Sequence, residues 1–174
     1  MFRLRQKHSK PSAEAGQPVD ANGLIDAQDP GRAVVAALGV ALLLNLAWLW
    51  LSDLTGSFFH VFSIAQGPLI GFAVQRAGRG IDWRFPVIAA ATALLAAFSG
   101  NFIVSLANTA AILDVSPLQV LRGLTVWTWQ TWYAEVLTAA DLIYGLFAAF
   151  VAAFYSKRRL RREEVFAMKQ GIRR

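Results

Sequence analysis

The chain has 174 residues, 56% of them hydrophobic and 16% charged, with no cysteine and a formal net charge of +6. That balance, with a mean hydropathy of +0.43, is richer in apolar and poorer in charged residues than soluble domains are. The lack of cysteine excludes a disulfide framework, a thiol nucleophile and a Cys-ligated zinc.

Residues 1–31 are polar, contain Pro11, Pro18 and Pro30, and hold too little apolar surface to offset the entropy of ordering. They read as a disordered tail. The start "MFRLRQKHSK" is similar to a signal-peptide n-region, but a polar stretch follows where an apolar h-region is required, so no cleavage is expected.

The first span is expected over 33–51, "AVVAALGVALLLNLAWLWL", close to the ~20 residues that cross ~30 Å of hydrocarbon. Asn45 is its one strongly polar member, and Trp48 and Trp50 fit an interfacial aromatic belt. The second, over 57–74, is less apolar because it holds His60, Ser63, Gln66 and Pro68, the last a candidate kink. A short basic turn follows with Arg76, Arg79 and Arg84. The third span, 85–106, opens with Pro86 near its first turn and is rich in Ala, with Asn101 inside and Asn108 beyond.

"SPLQVLRGLTVWTWQTWYAE" then opens as a capped helix, with Ser116 at the N-cap, Pro117 first and Gln119 three residues on. Trp127, Trp129 and Trp132 make it an interfacial segment lying along the membrane. The fourth span, 136–155, carries Asp141 near its start and leads to a basic tail over 157–174, where Arg158 and Arg159 serve as interface anchors.

Of the 17 Lys and Arg, five lie at or before Arg32, three at 76–84 and eight from Lys157 onwards, leaving Arg122 alone on the other side. By the positive-inside rule both termini are cytoplasmic and the number of crossings is even. The expected fold is therefore an all-α membrane domain over 32–156, with four transmembrane helices and an interfacial Trp-rich helix before the last. Because the basic residues flank spans, the lipid bilayer and not nucleic acid is the expected partner.

"GPLIGFAVQRAGRG" offers a glycine-rich loop for phosphate, but a dinucleotide fingerprint or a P-loop needs spacings absent here. Trp83 stands where a third glycine would close the pattern begun by Gly78 and Gly80, and no Lys-Ser or Lys-Thr pair follows. Gly67-x-x-x-Gly71 reads instead as a small-residue face for close helix packing, against a helix of the same chain or of another subunit. "DLTG" at 53–56, this stretch, and "ADLIYGLFAAFVAAFYSKRR" at 140–159 resemble a group of small bacterial integral membrane proteins with no established activity. The resemblance covers roughly 33–159 and implies a topology and no active site. Some members of that group carry a cysteine-rich zinc module ahead of the membrane part, which this Cys-free tail does not repeat.

For chemistry the candidates are His60, Gln66, Asn101 and Asp141. A lone His60 lacks the further ligands a haem or zinc needs, and reads as a packed or interfacial histidine. Asp141 is either a cap or helix-joining group or a proton or ion site. Asn45, Gln66, Asn101 and Asn108 either join helices by single hydrogen bonds or line a polar path. With neither paired carboxylates nor a Ser-His-Asp set in the spans, no enzyme and no cofactor is expected. The reading that follows is an accessory or scaffold protein of the bacterial inner membrane, assembling with itself or a larger complex. The alternative is a small transporter or channel subunit using the polar span residues. Reporter fusions test the topology: those after Arg79 and Arg162 are expected to report cytoplasm and one after Ser116 the outside, and a cytoplasmic signal at Ser116 overturns the four-span count.

Overall fold

The computed structural model describes residues 21–57, 59, 61–161 and 164–165, and the side chains of these apart from residues 21, 22, 126 and 127. All regular structure among the described residues is helical: α1 (Ala21–Asp26), α2 (Pro30–Thr55), α3 (Phe62–Gly78), α4 (Arg84–Ile112), α5 (Pro117–Gly123), α6 (Val126–Val136) and α7 (Ala139–Ser156). Three stretches are long and apolar enough to cross a membrane: the one containing α2, α4, and α7. Two compact units are present. One contains α1 and the described residues from Leu160 on, where the Arg161 amide donates to Glu164 Oε2 at 2.8 Å; the other is Ala27–Arg159 and contains α2 to α7.

Local chemistry sets the ends of the helices. Asp29 caps α2 by accepting from the Arg32 amide at 2.9 Å, Pro30 follows at a position where no N–H is needed, and Gly56 ends the helix at φ 61. The α2 helix is therefore longer at both ends than the expected span. Conversely, α3 starts at Phe62, five residues after the expected 57, because Gly56 turns the chain and the Ser57 carbonyl accepts from Ser52 Oγ at 3.0 Å. With 17 residues, running unbroken through Pro68, α3 is about 25 Å long. Helix α4 continues past 106 to Ile112, through the helix-favouring "ANTAAI". Two further differences follow from caps. The Trp-rich segment is two helices, since Thr125 and Thr128 form a second capping box after the one at Ser116 and Gln119. Helix α7 begins at 139 and not 136, because Thr138 is its cap. The short helix α1 falls within the stretch read as a disordered tail, most of which lies outside the described residues.

Helices α3 and α4 each touch the other three long helices, whereas α2 and α7 do not touch each other. The Asp29 amide donates to the Gly78 carbonyl at 3.1 Å, and the Arg158 amide to the Gly80 carbonyl at 3.0 Å. The start of α2 and the ends of α3 and α7 therefore meet at one end of the bundle, which carries Arg32, Arg76, Arg79, Arg84 and Arg158. At the far end of α2 the Trp48 ring lies 5.6 Å from that of Phe62, at the start of α3. So α2 and α4 run one way and α3 and α7 return.

The buried core is small-sided: Ala33, Ala37, Ala89, Ala93, Ala96 and Ala152 pack with Ile70, Val74 and Phe85. A Cβ at Gly67 would lie 2.5 Å from the Ala148 carbonyl oxygen, and one at Gly71 2.6 Å from that of Ala152. The Gly67-x-x-x-Gly71 face thus meets Ala148-x-x-x-Ala152 of the same chain, backbone against backbone. By contrast, a Cβ at Gly39, on the exposed side of α2, would meet nothing within 4 Å. Replacing Gly71 with Leu is expected to destabilise the bundle by about 1–3 kcal/mol or more, as overpacking does, and Gly39→Leu to leave it unchanged. Thermal unfolding in mild detergent checks this, and equal behaviour of the two variants would contradict the contact.

Candidate functional site

Polar side chains inside the bundle are few, and most are joined. Gln66, fully buried on α3, donates through Nε2 to Asn45 Oδ1 of α2 at 2.9 Å, and Asn45 Nδ2 donates to Ser99 Oγ of α4 at 2.9 Å. Ser99 Oγ in turn donates to the Leu95 carbonyl at 2.6 Å. Three helices are thereby linked by one directional chain of hydrogen bonds. Gly100 makes room for it, since a Cβ there would lie 2.6 Å from Asn45 Oδ1 and 2.7 Å from the Trp48 ring. Asn101 is also buried, and its Oδ1 accepts from Ser105 Oγ at 3.4 Å, a marginal bond. Gln66 Oε1 and Asn101 Nδ2 are buried without a hydrogen-bond partner among the described residues, an arrangement that costs stability in apolar surroundings.

Asp141 occupies the third position of α7 and is 7% exposed. Its Oδ2 accepts from the Thr138 amide at 2.9 Å and from Thr138 Oγ1 at 2.6 Å, while Thr138 Oγ1 accepts from the Asp141 amide. This is a reciprocal capping box, with a carboxylate at the positive end of the helix dipole. The sequence-derived candidates thus separate: Gln66 joins Asn45, Asn101 joins Ser105, and Asp141 caps α7 with Thr138. His60 lies outside the described residues. Asn108 is exposed and lines a different feature, an open cavity of ≈ 350 Å³ between α2 and α4 with Trp50, Ser52 and Asp53.

The expected aromatic anchors also separate. Trp50 is 66% exposed, but Trp48, expected in an interfacial belt, is 1% exposed and packs against Phe62. Two residues along a helix is about 200° of rotation, so the two rings cannot share a face. Trp129 and Trp132 pack on Phe102 of α4, with centroids 5.5 and 5.4 Å away, and Trp129 stacks on Tyr133 at 5.3 Å. The side chain of Trp127 is outside those described.

At the opposite, basic end Gln75, Arg76, Arg79 and Arg158 line an open cleft of ≈ 560 Å³. Gln75 Nε2 donates to the Lys157 carbonyl at 2.6 Å and so ties the end of α3 to that of α7. Sequence reasoning placed Arg158 among the anchors and Arg76 and Arg79 in a short basic turn. Their meeting in one cleft depends on the parallel course of α3 and α7, which no local signal reveals. Among the described residues no group of three or more His, Asp and Glu could hold a metal ion.

Comparison with protein families, with curated proteins and with solved structures finds no match to this chain. The functional reading therefore rests on its own geometry. Truncation tests the three-helix link: Asn45→Ala is expected to cost on the order of 1–2 kcal/mol, because it leaves the buried Gln66 amide unpaired. Adding Gln66→Leu is expected to recover part of that loss. A double-mutant cycle on unfolding in detergent measures the coupling, and strictly additive losses would deny the bond.

Proposed function

We propose that the chain is a non-enzymatic accessory or scaffold protein of the bacterial inner membrane, crossing the bilayer four times with both termini in the cytoplasm. Counting α3 as the fourth crossing is supported by its position between the other three helices and by its antiparallel course along α2. The basic end then faces the cytoplasm and the aromatic helices α5 and α6 lie at the outer surface. The observation that carries the scaffold reading is the capping box at Asp141. An ionisable group within a span is the strongest reason to expect transport, and here its carboxylate has a helix-closing task.

The outward surfaces support assembly with a partner or a second copy. Within its unit, helix α2 touches α3 and α4 among the described helices, and its remaining face presents Val35, Leu38, Leu42, Leu43 and Leu46 around the open Gly39. A small residue in such a face admits the close approach of another helix. Gly67 and Gly71, expected as a close-packing face for a helix of this chain or of another subunit, meet α7 of the same chain and so leave assembly to α2.

Asp141 separates scaffold from transporter. With Asp141→Asn, assembly in mild detergent is expected to be retained, because the amide oxygen still accepts from Thr138. Asp141→Leu is expected to loosen α7 by about 1 kcal/mol through loss of the cap. A fully assembled Asp141→Asn protein that has lost a proton or ion flux seen for the parent in sealed vesicles would overturn the scaffold reading in favour of transport.

A further inference from the structure

We infer that the cleft lined by Gln75, Arg76, Arg79 and Arg158 is a binding site for an anionic phosphate group, best matched by the headgroup of an anionic phospholipid. Three arginines line one cleft of ≈ 560 Å³, to which no carboxylate contributes among the described residues. Arg76 and Arg79 are exposed and have no ion-pair partner among the described residues; the ion pair at this end joins Arg32 to Asp29 at 3.1 Å. The ends of α3 and α7 both point here, and each helix C-terminus carries roughly half a negative charge. The full positive charges of Arg76 and Arg79 alone exceed those two halves by about one unit, which is left for a ligand.

The walls are held in place from both sides. Gln75 Nε2 donates to the Lys157 carbonyl at 2.6 Å and the Arg158 amide to the Gly80 carbonyl at 3.0 Å, so the two strips of backbone that carry the arginines are tied together. Arg79 stands at φ 49, the left-handed position that ends a helix, with Gly78 and Gly80 on either side of it. Glycine is the ordinary residue at that position, and here the chain places an arginine on it.

A lipid is favoured over a free anion by what lies one turn further into the apolar part of the bundle. Phe72 precedes Arg76 by four residues and Tyr155 precedes Arg158 by three, and their rings pair at 4.8 Å with both partly exposed. This aromatic pair, one turn from the arginines along both helices, stands where a glycerol and the first carbons of acyl chains would lie. Basic pockets between membrane helices take anionic headgroups in this way, with bidentate guanidinium contacts to phosphate oxygens. The site does not depend on which side of the membrane the basic end faces.

The test uses the full chain purified in a mild neutral detergent, with native mass spectrometry of retained lipid. Phosphatidylglycerol is compared with diacylglycerol, which lacks the phosphate, and with inorganic phosphate as competitor. The parent is expected to retain phosphatidylglycerol at least tenfold better than diacylglycerol. Arg76→Gln/Arg79→Gln is expected to lose that preference, Arg84→Gln, a basic neighbour outside the cleft, to change it less than twofold, and Arg76→Lys/Arg79→Lys to keep much of it should the Gln pair fold poorly. Displacement of the lipid by millimolar inorganic phosphate would support the phosphate site while marking a soluble anion as a competing occupant; resistance to displacement would support the lipid as its occupant. Equal retention of diacylglycerol, unchanged binding in a folded Gln pair, or equal loss in Arg84→Gln would overturn the proposal.

Discussion

The contact between the backbones of α3 and α7 constrains everything around it. Helix α3 has 17 residues and touches all three other long helices, so it must be thin on every side. Gly67 and Gly71 make it thin towards α7, where Ala148 and Ala152 answer them at the same spacing. What the core gives up in side-chain volume it regains in close backbone contact, the form of dispersion attraction that holds helices together where no water is expelled. The consequence is an inverted distribution of size. Alanines are inside, while Leu38, Leu42, Phe147, Phe150 and Phe154 face outward, which would be an aggregation liability in water and is ordinary in lipid.

A core of alanine and glycine has weak preferences for register, because sliding one smooth helix on another by a turn costs little packing. The chain from Gln66 through Asn45 to Ser99 supplies what packing lacks, since a hydrogen bond is satisfied at one register only. Trp48 adds bulk at the same level, held between Phe62 and the gap left by Gly100. Of the amides that look like candidates for a polar path, Asn45 and Gln66 tie α2 to α3 and α4.

The features that could be read from the sequence were local ones. Ser116 three residues before Gln119 and the spacing of the close-packing glycines on α3 show in residue type alone, whereas Asp29 before Pro30, equally local, fell in the stretch read as a disordered tail. The rest depended on the third dimension. That Trp48 faces inward while Trp50 faces out follows from the rotation of α2 against its neighbours, not from the composition of "WLW". Thr125 and Thr138 lie in apolar or aromatic runs that mask their capping roles, so one interfacial helix was expected where there are two, and α7 was expected to start earlier. The Ala148 and Ala152 face was invisible because alanine is common throughout the chain. The arginine cleft required knowing that α3 and α7 end side by side.

The two ends of the bundle are held by different forces, and this gives the molecule a direction. At the basic end, backbone hydrogen bonds run from Asp29 to Gly78 and from Arg158 to Gly80, and Gln28 Oε1 accepts from the amides of Ile81 and Asp82. The two backbone bonds survive every substitution except proline, and the Gln28 side chain adds a third tie. At the aromatic end, α5 and α6 touch α4 among the described helices of their unit, with Phe102 receiving Trp129 and Trp132. Contacts of that kind are fewer and made by side chains, and regions so held are the first to open. The capping box at Thr138 and Asp141 stands between this loosely held pair and α7. Because that box satisfies the first amides of α7 locally, the start of the helix whose alanines hold α3 does not rely on the aromatic pair.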